Sequence, residues 1–141
     1  MNTQDRIEAY LAAQSEPKRA DLRAIHQLAL RIAPDARLWF LDGRDETGKV
    51  VSNPNIGYGA LTMKLAGGKT REFYRVGLSG NTSGVSVYVM GLDDKTYLAR
   101  TFGPTLGRAS VTGYCIKFRS LADIDLATLE AAMRFGLGER G

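Results

Sequence analysis

Residues 56–90 limit what this chain can fold into more than any other stretch. They read as three successive β-strands, IGYGALTMKL (56–65), REFYRVGLS (71–79) and VSVYVM (85–90). The joints between them, AGGKT (66–70) and GNTSG (80–84), are short, polar and glycine-rich. Strand-forming runs bounded by such loops predict antiparallel hairpins, because glycine supplies the backbone angles that tight turns need. The flanking segments carry helical periodicity. The expected fold is therefore α+β, an antiparallel β-sheet with N- and C-terminal helices packed on one face. A length of 141 residues fits one domain over 1–141.

Ile7, Tyr10 and Leu11 stand at i, i+3 and i+4 and predict a helix over 3–14. Ser15 is expected to cap a second helix, with Pro17 in its first turn, where a missing N–H costs little. Leu22, Ile25, Leu28, Ala29 and Ile32 form its apolar stripe, and Pro34 marks its end. Residues 37–41 (RLWFL) read as a strand. Asp93 and Asp94 are expected to open a helix that runs to about Phe102 and stops at Gly103-Pro104. Residues 113–118 read as a further strand, with Tyr114, Ile116 and Phe118 on one side and Cys115, Lys117 and Arg119 on the other. Asp125 can cap a terminal helix with a stripe of Leu126, Leu129, Met133 and Leu137.

Period-2 alternation assigns the faces of the sheet. One face collects Leu61, Met63 and Leu65, then Tyr74, Val76 and Leu78, then Val85, Val87 and Val89, and is expected under the helices. The other carries Tyr58, Thr62, Lys64, Arg71, Phe73, Arg75, Tyr88 and Met90, with Trp39 beside them. This mixture of rings and cations is unlike a freely solvated sheet face, which is richer in Thr, Glu and Lys.

Charge is unevenly placed. Residues 47–122 hold 10 Lys/Arg against only Glu72, Asp93 and Asp94, whereas the segments on either side are slightly acidic. The excess on the sheet segment favours an anionic partner. One cysteine excludes an internal disulfide framework and a Cys-rich zinc site. The N-terminus lacks a basic stretch followed by an apolar one, and no apolar run reaches the ~20 residues of a membrane helix. The expectation is a cytoplasmic protein with no membrane contact.

Candidate chemical groups are few. His26, the sole histidine, lies inside the second helix beside Ile25 and reads as a boundary side chain rather than a ligand or base. The acids of the loop 42–48 lack the spacing of a calcium loop. Cys115 has basic neighbours along its strand face, which lower a thiol pKa, yet no Cys-His arrangement completes it, and it reads as a structural, half-buried thiol. The loop 103–110 is not a phosphate-binding P-loop, since no Gly-Lys-Ser/Thr follows. Neither a nucleophile nor an acid–base pair is identifiable, and no cofactor is expected.

The runs YRVGLS (74–79), VSVYVM (85–90) and YCIKFRSLADIDL (114–126), with the opening helix IEAYLAA (7–13) and a second helix ending in Ala33-Pro34, resemble the YdhG-like domain-of-unknown-function family. The resemblance extends over about 7–135, and LADIDL (121–126) after a cysteine-bearing strand is its most telling motif. It implies an α+β domain with an antiparallel sheet. One branch of that family is described as a frataxin-like intracellular iron chaperone, a role that needs clustered carboxylates. Here Asp5, Glu8, Glu16 and Asp21 are interleaved with Arg6, Lys18, Arg19 and Arg23, and no iron ligands are carried over.

The leading expectation is a non-catalytic domain that binds a small anionic ligand on the second sheet face. Trp39, Tyr58 and Tyr88 would supply walls and Lys64, Arg75 and Lys117 charge. The iron chaperone is the alternative. Single-stranded nucleic acid ranks third, because no basic run or RNP-type motif accompanies the aromatics. The same face could instead serve a homo-oligomer.

Overall fold

The computed structural model describes residues 1–138. Helix α1 spans Thr3–Ala12, with the Asn2 side chain accepting the Asp5 amide at 2.8 Å. Helix α2 spans Lys18–Ile32. The cap expected from Ser15 is supplied instead by Glu16, whose carboxylate accepts the Ala20 amide at 2.9 Å. Ile7 and Leu11 of α1, with Leu22, Ile25, Leu28 and Ala29 of α2, are buried as the periodicity requires.

Six strands form the main sheet: β1 (Leu38–Leu41), β2 (Asn55–Tyr58), β5 (Val76–Asn81), β6 (Gly84–Val89), β7 (Ser110–Val111) and β8 (Cys115–Phe118). Their order is β1-β2-β5-β6-β8-β7, every pair antiparallel. A separate two-stranded ribbon pairs β3 (Leu61–Lys64) with β4 (Thr70–Phe73). Helices α1 and α2 cover one face together with α3 (Tyr97–Leu106) and α4 (Leu126–Gly136). The core between the layers holds Ile56, Tyr58, Val76, Leu78, Val85, Val87, Val89 and Ile116, all 0–1% exposed. The chain is thus an α+β fold with helices at both ends of the sequence packed on one side of the sheet.

Two of the expected strands are each broken in two. The first breaks at Gly59-Ala60 and the second at Tyr74-Arg75, so one long hairpin becomes a sheet half and a projecting half. Gly59 adopts φ +79° at the bend. Side-chain alternation does not carry through a bend of this kind. Face assignments made across it therefore fail. Tyr58, expected on the second face, lies in the core, where its hydroxyl meets His26 Nδ1 at 2.6 Å. Tyr74, expected in the core, lies on the second face. Leu61 and Met63 are half-buried on the projecting ribbon, and Leu65 is 45% exposed.

Tyr74 occupies space that two glycines leave open. Gly57 and Gly77 are directly paired across β2 and β5. A Cβ built on Gly57 would lie 2.5 Å from the Tyr74 ring, and one on Gly77 2.6 Å from it. The Tyr74 hydroxyl donates to Asn55 Oδ1 at 3.0 Å, and Phe73 stacks on its ring at 4.1 Å.

Helix α3 runs through Gly103-Pro104, which were expected to stop it, and ends at Gly107 with φ +106°. Leu98, Phe102 and Leu106 stand four residues apart on one face, and Leu98 and Leu106 are fully buried. Phe102 and Tyr97 also meet Phe135 of α4, at 6.2 and 4.7 Å. This packing outweighs the roughly 3 kcal/mol that a proline costs inside a helix. Asp125 caps α4 as expected, accepting the Thr128 amide at 3.0 Å, but Leu126 is 50% exposed and outside its stripe. Gly136 lets α4 lie close on the sheet: a Cβ there would come 2.6 Å from Val76. Among the described residues no helix is long and apolar enough to cross a membrane.

Two predictions follow from this packing. Gly77→Ala should cost about 1–3 kcal/mol by overpacking against Tyr74. In a Tyr74→Ala background the same change should cost almost nothing, and urea denaturation of the four proteins measures that coupling.

The second concerns His26. Burial pushes its pKa below 6.5, Glu8 pulling it back up and Arg23 pushing it further down. Burial also holds the Tyr58 hydroxyl protonated, so a neutral phenol and a neutral imidazole share this hydrogen bond. The unfolded chain then binds the His26 proton more readily, so this contribution is complete above pH 6.5 and is lost as pH falls towards the lowered folded value. The melting temperature should drop between pH 7.5 and 5.5, and less steeply in His26→Gln, whose amide oxygen can still accept from Tyr58.

Candidate functional site

The face of the sheet away from the helices is where ligand chemistry was expected. Strand register places Trp39, Gly57, Gly77, Tyr88 and Cys115 in one row across it. The next row on that face holds Ser79, Ser86, Lys117 and Ser110. The Tyr74 ring lies over the two glycines in the middle of the first row and divides the face in two.

On one side of Tyr74 lies a closed aromatic group. Trp39 donates its indole N–H to the Gly59 carbonyl at 2.7 Å and sits 6.1 Å from the Phe73 ring. The Arg37 guanidinium covers Trp39 at 3.8 Å and also bonds Glu72 at 3.0 Å. Arg71 covers Phe73 at 4.7 Å. The Arg75 side chain lies against Gly59 at this end of the sheet, 3.1 Å from where a Cβ would stand. Rings and cations here already satisfy one another.

On the other side the face is open. Tyr88, Ser110, Thr112, Tyr114, Cys115 and Lys117 line a depression of about 280 Å³. Tyr88 and Tyr114 approach with ring centroids 6.0 Å apart, and Tyr114 is 54% exposed. A second depression of about 410 Å³ adjoins it at the β5–β6 turn, sharing Ser110 and Lys117 and adding Arg108, Arg119, Asn81 and Ser83 among its walls. No Asp or Glu lines either depression. Among the described residues, Arg108, Lys117 and Arg119 take part in no ion pair.

The floor is fixed from below. Ser86 is fully buried between Lys117 and Ser79 across the ladder and accepts from Asn81 Nδ2 at 3.0 Å. Burial pushes the Cys115 thiol up, and the nearby Lys117 charge opposes this only in part. Basic neighbours alone had indicated a lowered thiol; desolvation outweighs them because Cys115 is 7% exposed. Burial likewise raises the Tyr88 phenol, so it stays a hydrogen-bond donor at neutral pH.

Of the six side chains expected to form a site, only Tyr88 and Lys117 come together. Trp39 and Arg75 lie beyond Tyr74, Lys64 is on the projecting ribbon, and Tyr58 is in the core. Arg108, Ser110, Thr112, Tyr114 and Arg119 were not anticipated. Their signal in the sequence is the cationic surplus around 108–119, which alternation on strands does not convert into a place. Among the described residues no three His, Cys, Asp or Glu side chains group in a way that could hold a metal ion. Two carboxylates of the N-terminal helices have partners: Glu8 grips Arg23 through two bonds of 2.7 and 2.9 Å, and Asp21 accepts the Leu121 amide at 3.1 Å.

The raised thiol gives a direct test. Iodoacetamide should modify Cys115 in the native protein at pH 8 on the order of tenfold more slowly than in the urea-unfolded chain, since the thiolate is the nucleophile. Lys117→Ala, which removes the one neighbouring charge that stabilises the thiolate, should slow the native reaction further.

Comparison with protein-family models, with curated proteins and with solved structures finds no match, so the chemistry of this patch rests on its own geometry.

Proposed function

We propose that this chain is a non-catalytic binding domain for a small anionic ligand, taken up at the β7–β8 end of the open sheet face. The observation that carries this reading is that Arg108, Lys117 and Arg119 line one depression, that Lys117 and Ser110 join it to a second, and that no carboxylate lines either. Unpaired cations around a concave surface raise the local concentration of anions and favour their binding. Two guanidinium forks and one ammonium offer several charge-assisted hydrogen bonds, each stronger than a neutral one. Hydroxyls of Ser110 and Thr112 at the rim add orientation.

The iron-chaperone reading implied by the YdhG-like resemblance ranks second. It needs carboxylates in a group with free oxygens, whereas Glu8, Glu16 and Asp21 turn to Arg23, Arg19 and backbone amides, and among the described residues no three His, Cys, Asp or Glu side chains group together.

Calorimetric titration with inorganic phosphate, citrate and AMP at two salt concentrations tests the proposal. At least one of these anions should bind, and more weakly as ionic strength rises through the range where the Debye length falls below about 10 Å. Lys117→Ala should lower that affinity about tenfold, the equivalent of roughly 1.4 kcal/mol, with stability within about 0.5 kcal/mol of the parent. Lys64→Ala and Arg75→Ala, whose charges lie elsewhere on the molecule, should leave it unchanged. Equal effects from all three substitutions, or no binding by any of the anions, would overturn the reading.

A further inference from the structure

The two adjoining depressions differ in character, and the difference bears on what the ligand is. The one at the β5–β6 turn is cationic, with Arg108, Lys117 and Arg119 in its wall. The one over β8 offers the Tyr88 and Tyr114 rings, inclined at 33°, with Ser110 and Thr112 beside them. We infer that the ligand is bipartite: a phosphate monoester held by Arg108, Lys117 and Arg119, and a planar ring laid against Tyr114 and Tyr88, as in a nucleoside monophosphate. This inference rests on the anion-binding reading and specifies its ligand class.

Three lines of reasoning select that class. The first is charge. A single carboxylate needs one cation, whereas three unpaired cations around one hollow match a dianionic group with several acceptor oxygens. The second is spacing. Cys115, which lines the depression with the tyrosine pair, and Lys117, shared with the cationic hollow, are two residues apart on one strand face, or about 6.6 Å. That is a span of the kind separating the ring from the phosphate of a nucleoside monophosphate. The third is that the aromatic surface is available. Tyr114 is 54% exposed and carries no covering cation, unlike Trp39 and Phe73, which lie under Arg37 and Arg71. Its backbone is tied down, with the Tyr114 carbonyl accepting the Val89 amide at 2.8 Å, so the ring is presented from a fixed strand end. Base–aromatic stacking strengthens binding roughly tenfold or more per base. A longer single strand fits less well, because its binding needs a basic groove that tracks several phosphates. Here the three cations sit at one end, and Tyr74 with the Arg37-covered Trp39 closes the row beyond.

The experiment is a calorimetric comparison of AMP, adenosine and inorganic phosphate at one ionic strength, with the oligonucleotide dT10 as a fourth ligand. AMP should bind at least tenfold more tightly than either adenosine or phosphate. Tyr114→Ala should remove most of that advantage while leaving phosphate binding intact, and Tyr114→Phe, which keeps the ring, should retain it. Arg108→Ala and Arg119→Ala should weaken both AMP and phosphate. These side chains are on the surface, and unchanged melting temperatures establish that each variant is folded. Phosphate binding as tightly as AMP would overturn the bipartite ligand and leave the anion site standing. Adenosine binding as tightly as AMP would overturn the bipartite ligand, since the phosphate would then contribute nothing, and absence of phosphate and citrate binding alongside it would overturn the anion site as well. A dT10 affinity per site well above that of AMP would overturn the mononucleotide class in favour of a strand. Failure of all four, together with citrate, would remove the anion-binding reading itself.

Discussion

A tyrosine ring laid across a pair of glycines decides how this sheet is used. Gly57 and Gly77 face each other on β2 and β5, and the missing side chains leave a trough on the sheet face away from the helices. The chain bends at Tyr74-Arg75, and Tyr74 folds back into that trough, held by Asn55 and by stacking on Phe73. A larger residue at either glycine would meet the ring at under 3 Å. Because the trough is filled, one continuous aromatic face becomes two separate regions. One is sealed by arginines over rings; the other stays open between β6, β8 and β7.

The helical face follows more ordinary rules. Valines alternate along β6, and four helices lay their apolar stripes on them and on Leu78 and Ile116. Polar contacts from the helices to the sheet include the Tyr10 hydroxyl accepting the Gly80 amide, Lys18 donating to the Asn81 carbonyl, and the His26–Tyr58 pair. Both groups of that pair are kept neutral by burial, so they satisfy each other without bringing a charge into the core. The same logic runs through the open face, where Ser79 donates to the Pro54 carbonyl at 2.7 Å and Ser86 takes the Asn81 amide. Among the described residues, no buried side-chain nitrogen or oxygen lacks a partner.

Charge is sorted by the same architecture. Some cations are engaged locally, Arg37 on Glu72 and Trp39, Arg100 on Asp94, Arg71 on Phe73. Arg108, Lys117 and Arg119 stand together at one end of the sheet, just before the edge strand β7, on its neighbour β8 and in the loop beyond. Lys49, Lys64, Lys69, Arg75 and Lys95 carry the rest of the surplus elsewhere. Arg108, Lys117 and Arg119 are the cations that share a hollow lined by no carboxylate, and that is the ground for the anion site proposed above.

The amino-acid sequence determined the class of fold, the helices and their buried stripes, and the valine face of β6, because these depend on short-range periodicity. It also determined that cations outnumber acids on the sheet segment. Face assignments held within β8, where Cys115 and Lys117 point away from Ile116 and Phe118 as alternation requires. They did not hold for Tyr114, which was expected beside Ile116 and Phe118 and instead shares the open depression with Cys115 and Lys117, because the strand begins only at Cys115. They failed for Tyr58 and Tyr74, because the bends at Gly59-Ala60 and Tyr74-Arg75 break the period of two, and nothing local announces how far a bend resets it. Helix α3 passed its proline because Leu98, Phe102 and Leu106 gain more by packing than Pro104 costs, a balance struck between distant elements. The site was decided by tertiary structure for the same reason. Tyr88 arrives on β6, Lys117 on β8, Ser110 on β7 and Arg108 from the end of α3, and only the strand order places them together.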